Sequence, residues 1–247
     1  MTTLNGSTAL ITGSTSGIGR ATAHTLAELG AHVIISGRHQ ERGEQVAAHI
    51  RAAGGKADFV AALLTDAASA RSLAQQALSI TGRVDILVNN AGIYSFGPTV
   101  DTTEKAFDLS YDINVKVPYF LVAELAPRMA GRGAGAIVNI LTGVAHKGYA
   151  VAGLYGSAKA SLMLLTKSWA AEFGPSGVRV NAVSPGPIHT PGTDVMGEGI
   201  DAFAVGTPAA RVGEAVEIAA AVAFLVSDEA SYIHGVVLPV DGGSVAV

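Results

Sequence analysis

The sequence predicts an α/β protein: a doubly wound, parallel seven-stranded sheet with helices on both faces, in a single domain over residues 1–247. Three observations carry this. Short apolar runs alternate with helical patterns from end to end, the signature of βα units and a parallel sheet. No linker or low-complexity tract divides the chain. Its 247 residues are 49% hydrophobic, enough for a sizeable core.

The first βαβ unit is the clearest. Thr8 to Ile11 is an apolar run that reads as a buried strand. It enters Thr12-Gly13-Ser14-Thr15-Ser16-Gly17-Ile18-Gly19, then a helical pattern to Leu29 closed by Gly30, then the strand His32 to Ser36. Glycines let backbone approach a pyrophosphate, and a helix N-terminus offers free N–H groups and a positive dipole end. The spacing is G-x-x-x-G-x-G rather than G-x-G-x-x-G, and a tight connection without a ligand would carry the same residues. The second strand ends in Ser36-Gly37-Arg38, with no acid to hold a ribose 2′-hydroxyl. Arg38 fits a 2′-phosphate through charge-assisted hydrogen bonds, or is an ordinary solvated charge.

Gln40 to Ala53 reads as a helix and Lys56 to Ala61 as a third strand. Asp66 is placed to cap a helix running to Ile80. Val84 to Val88 is a fourth strand, ending in Asn89-Asn90-Ala91-Gly92. Thr102 to Ala130 reads as one long helix containing Asn114, a residue that disturbs a helical ladder in mid-run. Ala136 to Leu141 is a fifth strand, followed by Thr142. Val178 to Ser184 is a sixth, followed by Pro185-Gly186-Pro187-Ile188-His189-Thr190. Residues 191–210 are rich in Gly, Pro and Thr, as expected of a lid. A last helix, Glu214 to Ser227, precedes a seventh strand, Val236 to Val240. Polar groups thus follow strands one, four, five and six, all on one edge of the sheet, where open α/β sheets bind ligands.

Between strands five and six lies a helix, Gly153 to Phe173, carrying Tyr155 and Lys159. Positions i and i+4 share a helix face. A cation there favours the phenolate and draws the phenol toward the working pH range.

The chain closely resembles the short-chain dehydrogenase/reductase family over about residues 5–243. The resemblance rests on the glycine motif (residues 12–19), Asn89 to Gly92, Asn114, Tyr155-x-x-x-Lys159, and Pro185 to Thr190. It implies a Rossmann-type fold, a homotetramer or homodimer built on the two long helices, and hydride exchange between a nicotinamide and an alcohol or carbonyl carbon. Tyr155 would be the general acid or base, and Lys159 would lower its pKa and hold the nicotinamide ribose. Asn114 would hold a water in a proton relay. Gly13, Ser14, Thr15, Ser16, Gly17, Ile18, Gly19, Asn90, Ala91, Gly92, Pro185, Gly186, Ile188 and Thr190 would contact the cofactor. With Arg38 and no acid at Gly37, the expected cofactor is NADP(H), with NAD(H) as the alternative.

Two positions depart from the family pattern. The usual catalytic Ser is Thr142, whose hydroxyl can still polarise a carbonyl while its methyl narrows the pocket. The usual acid near the adenine is Leu63. The expected substrate pocket is Leu141, Val144, His146, Tyr149, Val151 and Pro187, with Met196 and Phe203 from the lid. It is apolar enough for a small-molecule carbonyl or alcohol of medium size. The alternative is a catalytically silent NADP(H)-binding scaffold of the same fold.

Composition excludes other classes. Charged residues are 15%, the net charge is −4 and no basic block occurs, so no nucleic-acid partner is expected. There is no cysteine, which removes disulfides, thiolate metal sites and a Cys nucleophile; no metal is expected. Met1 to Gly6 lacks the features of a signal peptide, and no apolar run reaches membrane-span length. The expectation is a cytoplasmic protein with no membrane partner.

Overall fold

The computed structural model describes residues 3–247, apart from the side chains of residues 195, 196 and 198. Its elements follow the expected alternation. In order they are β1 (Thr8–Ile11), α1 (Gly17–Glu28), β2 (His32–Gly37), α2 (Gln40–Ala52), β3 (Lys56–Ala61), α3 (Ala67–Thr81), β4 (Ile86–Asn89), α4 (Glu104–Tyr111) and α5 (Val117–Ala130). Then come β5 (Gly135–Ile140), α6 (Gly153–Phe173), β6 (Val178–Pro185), β7 (Ile188–His189), β8 (Gly213–Glu214), α7 (Ala215–Val226) and β9 (Val237–Val240).

Seven strands form one parallel sheet in the order β3-β2-β1-β4-β5-β6-β9. Strand order reverses between β1 and β4, which opens a crevice at their carboxyl ends. The period-2 alternation of strand side chains divides the core. Ile11 and Ile35 pack with Leu26 of α1, Ile50 of α2 and Val222 of α7. Leu10 and Ile34 pack on the other face with Leu73 of α3, Leu121 of α5 and Trp169 of α6. Strands buried on both faces explain why they read as continuous apolar runs.

Local chemistry sets the boundaries. Asp66 caps α3 as expected: it accepts the Ser69 N–H at 2.8 Å, while Ser69 Oγ accepts the Asp66 N–H at 3.1 Å. Gly82, at φ 74°, ends the same helix in the left-handed region. The single helix expected over 102–130 is instead two, α4 and α5, joined by a π-helical stretch, Asp112–Lys116. Asn114 sits in that stretch, fully buried. The small β7–β8 pair was not anticipated; Gly213 N donates to Pro187 O at 2.9 Å beside it. Among the described residues, no helix is long and apolar enough to cross a membrane.

Candidate active site

The glycine turn lies in the crevice between β1 and β4. Gly13 (φ 64°) and Gly17 (φ 54°) occupy the left-handed region. A Cβ on Gly19 would lie 2.5 Å from Gly13 O and 2.5 Å from Asn90 Nδ2, so no side chain fits there. Ser16 precedes α1 in extended conformation and makes no side-chain cap, which leaves the first-turn N–H groups facing the turn. A backbone cradle that excludes side chains, ahead of an uncapped helix N-terminus, fits a pyrophosphate.

Asn90 braces this cradle. Its Nδ2 donates to Thr12 O at 2.8 Å and Gly13 O at 3.1 Å, and its backbone N donates to Thr12 Oγ1 at 3.0 Å. Ala91 N donates to the same hydroxyl at 2.9 Å. Ser14, expected to touch cofactor, is turned inward. Its hydroxyl donates to Ile11 O (2.6 Å) and accepts from Ser36 N (3.0 Å), so it ties the turn to β2. Thr15 sits against Gly37, where a Cβ would meet Thr15 Cγ2 at 2.6 Å. Arg38 extends from the end of β2, exposed, its Nε donating to His39 at 3.2 Å. Leu63 is 64% exposed.

Tyr155 and Lys159 rise from the first turns of α6. The Tyr155 phenol and Thr142 line the same cavity wall. Burial pushes the phenol's pKa up to about 12, partly offset by the Thr142 hydroxyl, while Tyr94 adds to the rise. The expected downward pull from Lys159 is not what governs this geometry. The ammonium is enclosed, donates to Ile140 O at 2.9 Å, and is itself held down to about 8 by burial. Asn114 is pinned to Ile93 in both directions, Nδ2 to O at 2.8 Å and N to Oδ1 at 3.3 Å. A Cβ on Gly92 would lie 2.8 Å from Asn114 Oδ1 and 3.3 Å from Lys159 Nζ. Gly92 therefore keeps open the space that these two polar groups border.

One cavity of about 530 Å³ joins these parts, lined by Ile18, Asn90 and Thr190 toward the glycine turn and by Thr142, Tyr155 and Lys159 toward α6. Pro185, Gly186 and Ile188 also line it, and Thr190 reaches Gly17, where a Cβ would touch Thr190 Cβ at 3.2 Å. Another cavity, about 480 Å³, is lined by Gly17 and His189 and by none of Thr142, Tyr155 and Lys159.

Of the expected pocket residues, Leu141, Val144, Tyr149, Val151, Pro187 and Phe203 line the cavity. His146 does not; its Nε2 pairs with Ser184 Oγ at 3.0 Å. The Met196 side chain lies outside the described residues. Sequence reasoning missed Tyr94 and Phe96, whose rings stand edge-on to Tyr155 at 6.4 and 5.9 Å between centroids. Two aromatics directly after a strand-end Asn-Asn-Ala-Gly were the available signal. Val151 carries a positive φ of 64°, a strained setting for a β-branched residue and one found at functional sites.

The chain matches the family model described as enoyl-(acyl carrier protein) reductase over residues 13–245. It is 35% identical to a cyclopentanol dehydrogenase of Comamonas testosteroni, over 98% of both chains. A solved short chain dehydrogenase/reductase family protein is 50% identical, with a TM-score of 0.92 over 99% of both chains. A blue fluorescent protein from a metagenomic library, solved with NADPH, is 33% identical, with a TM-score of 0.93 over 98% of both chains. The chain belongs to the short-chain dehydrogenase/reductase family and is an oxidoreductase.

Proposed function

We propose that this short-chain dehydrogenase/reductase exchanges a hydride between NADP(H) and a carbonyl or secondary alcohol, with Tyr155 as general acid and base. One observation carries the reading: Tyr155 and Thr142 line the same cavity that Ile18 of the glycine turn also borders. The NADPH-bound structural neighbour and the relative named for cyclopentanol support it.

The bound nicotinamide would supply the hydride. The protein supplies the rest. The cradle at Gly13, Gly17 and Gly19 would receive the pyrophosphate at the N-terminus of α1. Thr142 donates its hydroxyl to the substrate oxygen, and Tyr155 gives that oxygen its proton in reduction or withdraws it in oxidation. Lys159 would hold the ribose hydroxyls of a bound nicotinamide, and Asn114, which with Lys159 borders the space at Gly92, would relay protons. We also assign a homotetramer or homodimer, supported by the exposed apolar side chains Phe107 on α4, Tyr119 on α5 and Leu164 on α6.

The direct test follows NADPH oxidation by absorbance over a panel of ketones. NADPH binding without turnover of any of them would leave only the scaffold reading. Cofactor choice is tested by Arg38→Asp. A charge-assisted contact to the 2′-phosphate contributes about 1.5–3 kcal/mol, so NADPH affinity should drop by roughly tenfold or more while NADH affinity holds. An unchanged ratio of the two Kd values would remove Arg38 from the role. Thr142→Ala should lower kcat by roughly tenfold or more, and Thr142→Ser should restore it. Wild-type turnover in the Ala variant would assign carbonyl polarisation to another donor.

A further inference from the structure

The walls of the substrate cavity carry more information than the catalytic residues. Tyr94 and Phe96 lie on the segment that follows Gly92, with ring centroids 6.1 Å apart. Both rings approach Tyr155 nearly edge-on, at 71° and 74°. That segment is held at its start by Asn114, which bonds Ile93 in both directions, and at two points beyond. Gly97 N donates to Val151 O at 2.8 Å, joining it to the opposite wall. The Tyr94 hydroxyl donates to Gly192 O, joining it to the start of the lid. A Cβ on Gly192 would already lie 3.1 Å from the Tyr94 hydroxyl, so the lid backbone is close against this side chain. The two rings therefore form a fixed wall beside the reacting oxygen rather than a loose loop.

Much of the remaining lining is apolar, with Leu141, Val144, Val151, Pro187, Ile200 and Phe203, beside Tyr149, Thr193 and Ser244. Among the described residues that line the cavity, Lys159 is the one Lys, Arg or His, and it is enclosed and engaged with Ile140 O. Lys147, near the wall, does not line the cavity. It donates to Ser244 O at 2.6 Å and lies over the Tyr149 ring at 5.5 Å. A substrate carboxylate would leave water for a site whose one lining cation is enclosed and already engaged, which is strongly unfavourable.

Resting on the function proposed above, we infer that the substrate is an uncharged, ring-bearing ketone or secondary alcohol, held against the aromatic wall of Tyr94 and Phe96, and that anionic carbonyl compounds are rejected. Ring faces and edges of the substrate replace the solvent that now touches the half-exposed Tyr94 and Phe96 rings. The Tyr94 hydroxyl makes it a specificity-determining residue of a second kind, since it holds the lid in register with that wall.

A matched set of ketones tests this with the full-length protein and NADPH. Methyl 4-oxocyclohexanecarboxylate and its free carboxylate share one reacting ring and differ in charge. The ester should exceed the acid in kcat/KM by roughly 100-fold. Cyclohexanone should likewise exceed 2-hexanone. Phe96→Arg supplies the missing cation and should reduce the ester-to-acid ratio by roughly tenfold or more. Phe96→Ala should raise KM for cyclohexanone with little change in kcat. Tyr94→Phe, which keeps the ring and frees the lid, should raise KM for every ketone in the set. Thermal melts check that each variant is folded. Equal or better turnover of the carboxylate, or Phe96 variants that leave KM and the ratio unmoved, would overturn the inference while leaving hydride transfer intact. Binding of NADPH with turnover of no ketone would overturn both.

Discussion

Tyr155→Phe is expected to lower kcat by roughly 10²–10⁴-fold, the range for loss of a positioned general acid, while NADPH still binds. The substitution is close to a pure test of the hydroxyl. The ring stays edge-on to Tyr94 and Phe96, so the pocket keeps its shape. What goes is the proton and the phenol's interaction with the Thr142 hydroxyl. Folding should change little, since a hydrogen bond contributes about 1 kcal/mol net. The direction of reaction matters to the pH profile. With the phenol pushed up to about 12, the acid form needed for reduction is present throughout the neutral range. The base form needed for oxidation gains from rising pH, so oxidation should speed up with alkalinity while reduction does not. Residual reduction within tenfold of wild type would remove Tyr155 as the acid.

The fold was legible because its signals are local. Four-residue apolar runs such as Thr8 to Ile11 are buried on both sides, and Asp66 and Gly82 bracket α3 by their own chemistry. The convergence of glycine turn, Asn90, Thr142, Tyr155 and Lys159 was legible for a related reason: strand-end positions in a parallel sheet share an edge. Asn114 announced a disturbed helix, though not its form. The π-helical stretch that splits α4 from α5 depends on tertiary demands at Gly92 and Ile93, which periodicity does not encode.

The sequence is least informative where side chains choose among partners. Ser14 belongs to the glycine motif, yet its hydroxyl bonds Ile11 and Ser36 and holds two strand ends together. His146 follows the fifth strand closely but pairs with Ser184. Tyr94 and Phe96 lie in irregular chain, and contacts with residues distant in the sequence, Asn114, Val151 and Gly192, fix the segment that carries them. No propensity predicts Val151 at positive φ. That conformation is imposed by the wall it belongs to.

The buried lysine yields the second large effect, and it separates activity from stability. Lys159→Met keeps the length of the side chain and removes its charge. Turnover should drop by roughly 10²-fold or more, because a preorganised positive charge beside the phenol is lost. Stability should move differently. Burial lowers the Lys159 pKa from 10.5 to about 8, so the folded state holds this proton less tightly than the unfolded chain. Below pH 8 the ammonium is charged in both states and the full penalty, about 3 kcal/mol, burdens the wild type. Between pH 8 and 10.5 the unfolded chain binds more protons, so wild-type stability rises as pH rises. The Met variant lacks this term but leaves Ile140 O without its Lys159 donor, a loss of about 1–3 kcal/mol. Near pH 7 the two effects oppose, and the variant should be as stable as the wild type or somewhat more so. Above pH 8 the wild type should gain on it steadily. Urea unfolding of both proteins at pH 7 and pH 10 measures the difference. A variant that loses activity but shows the wild-type pH dependence of stability would mean that Lys159 is not the group titrating, and that its cation is better hydrated than its enclosure by α6 and β5 implies.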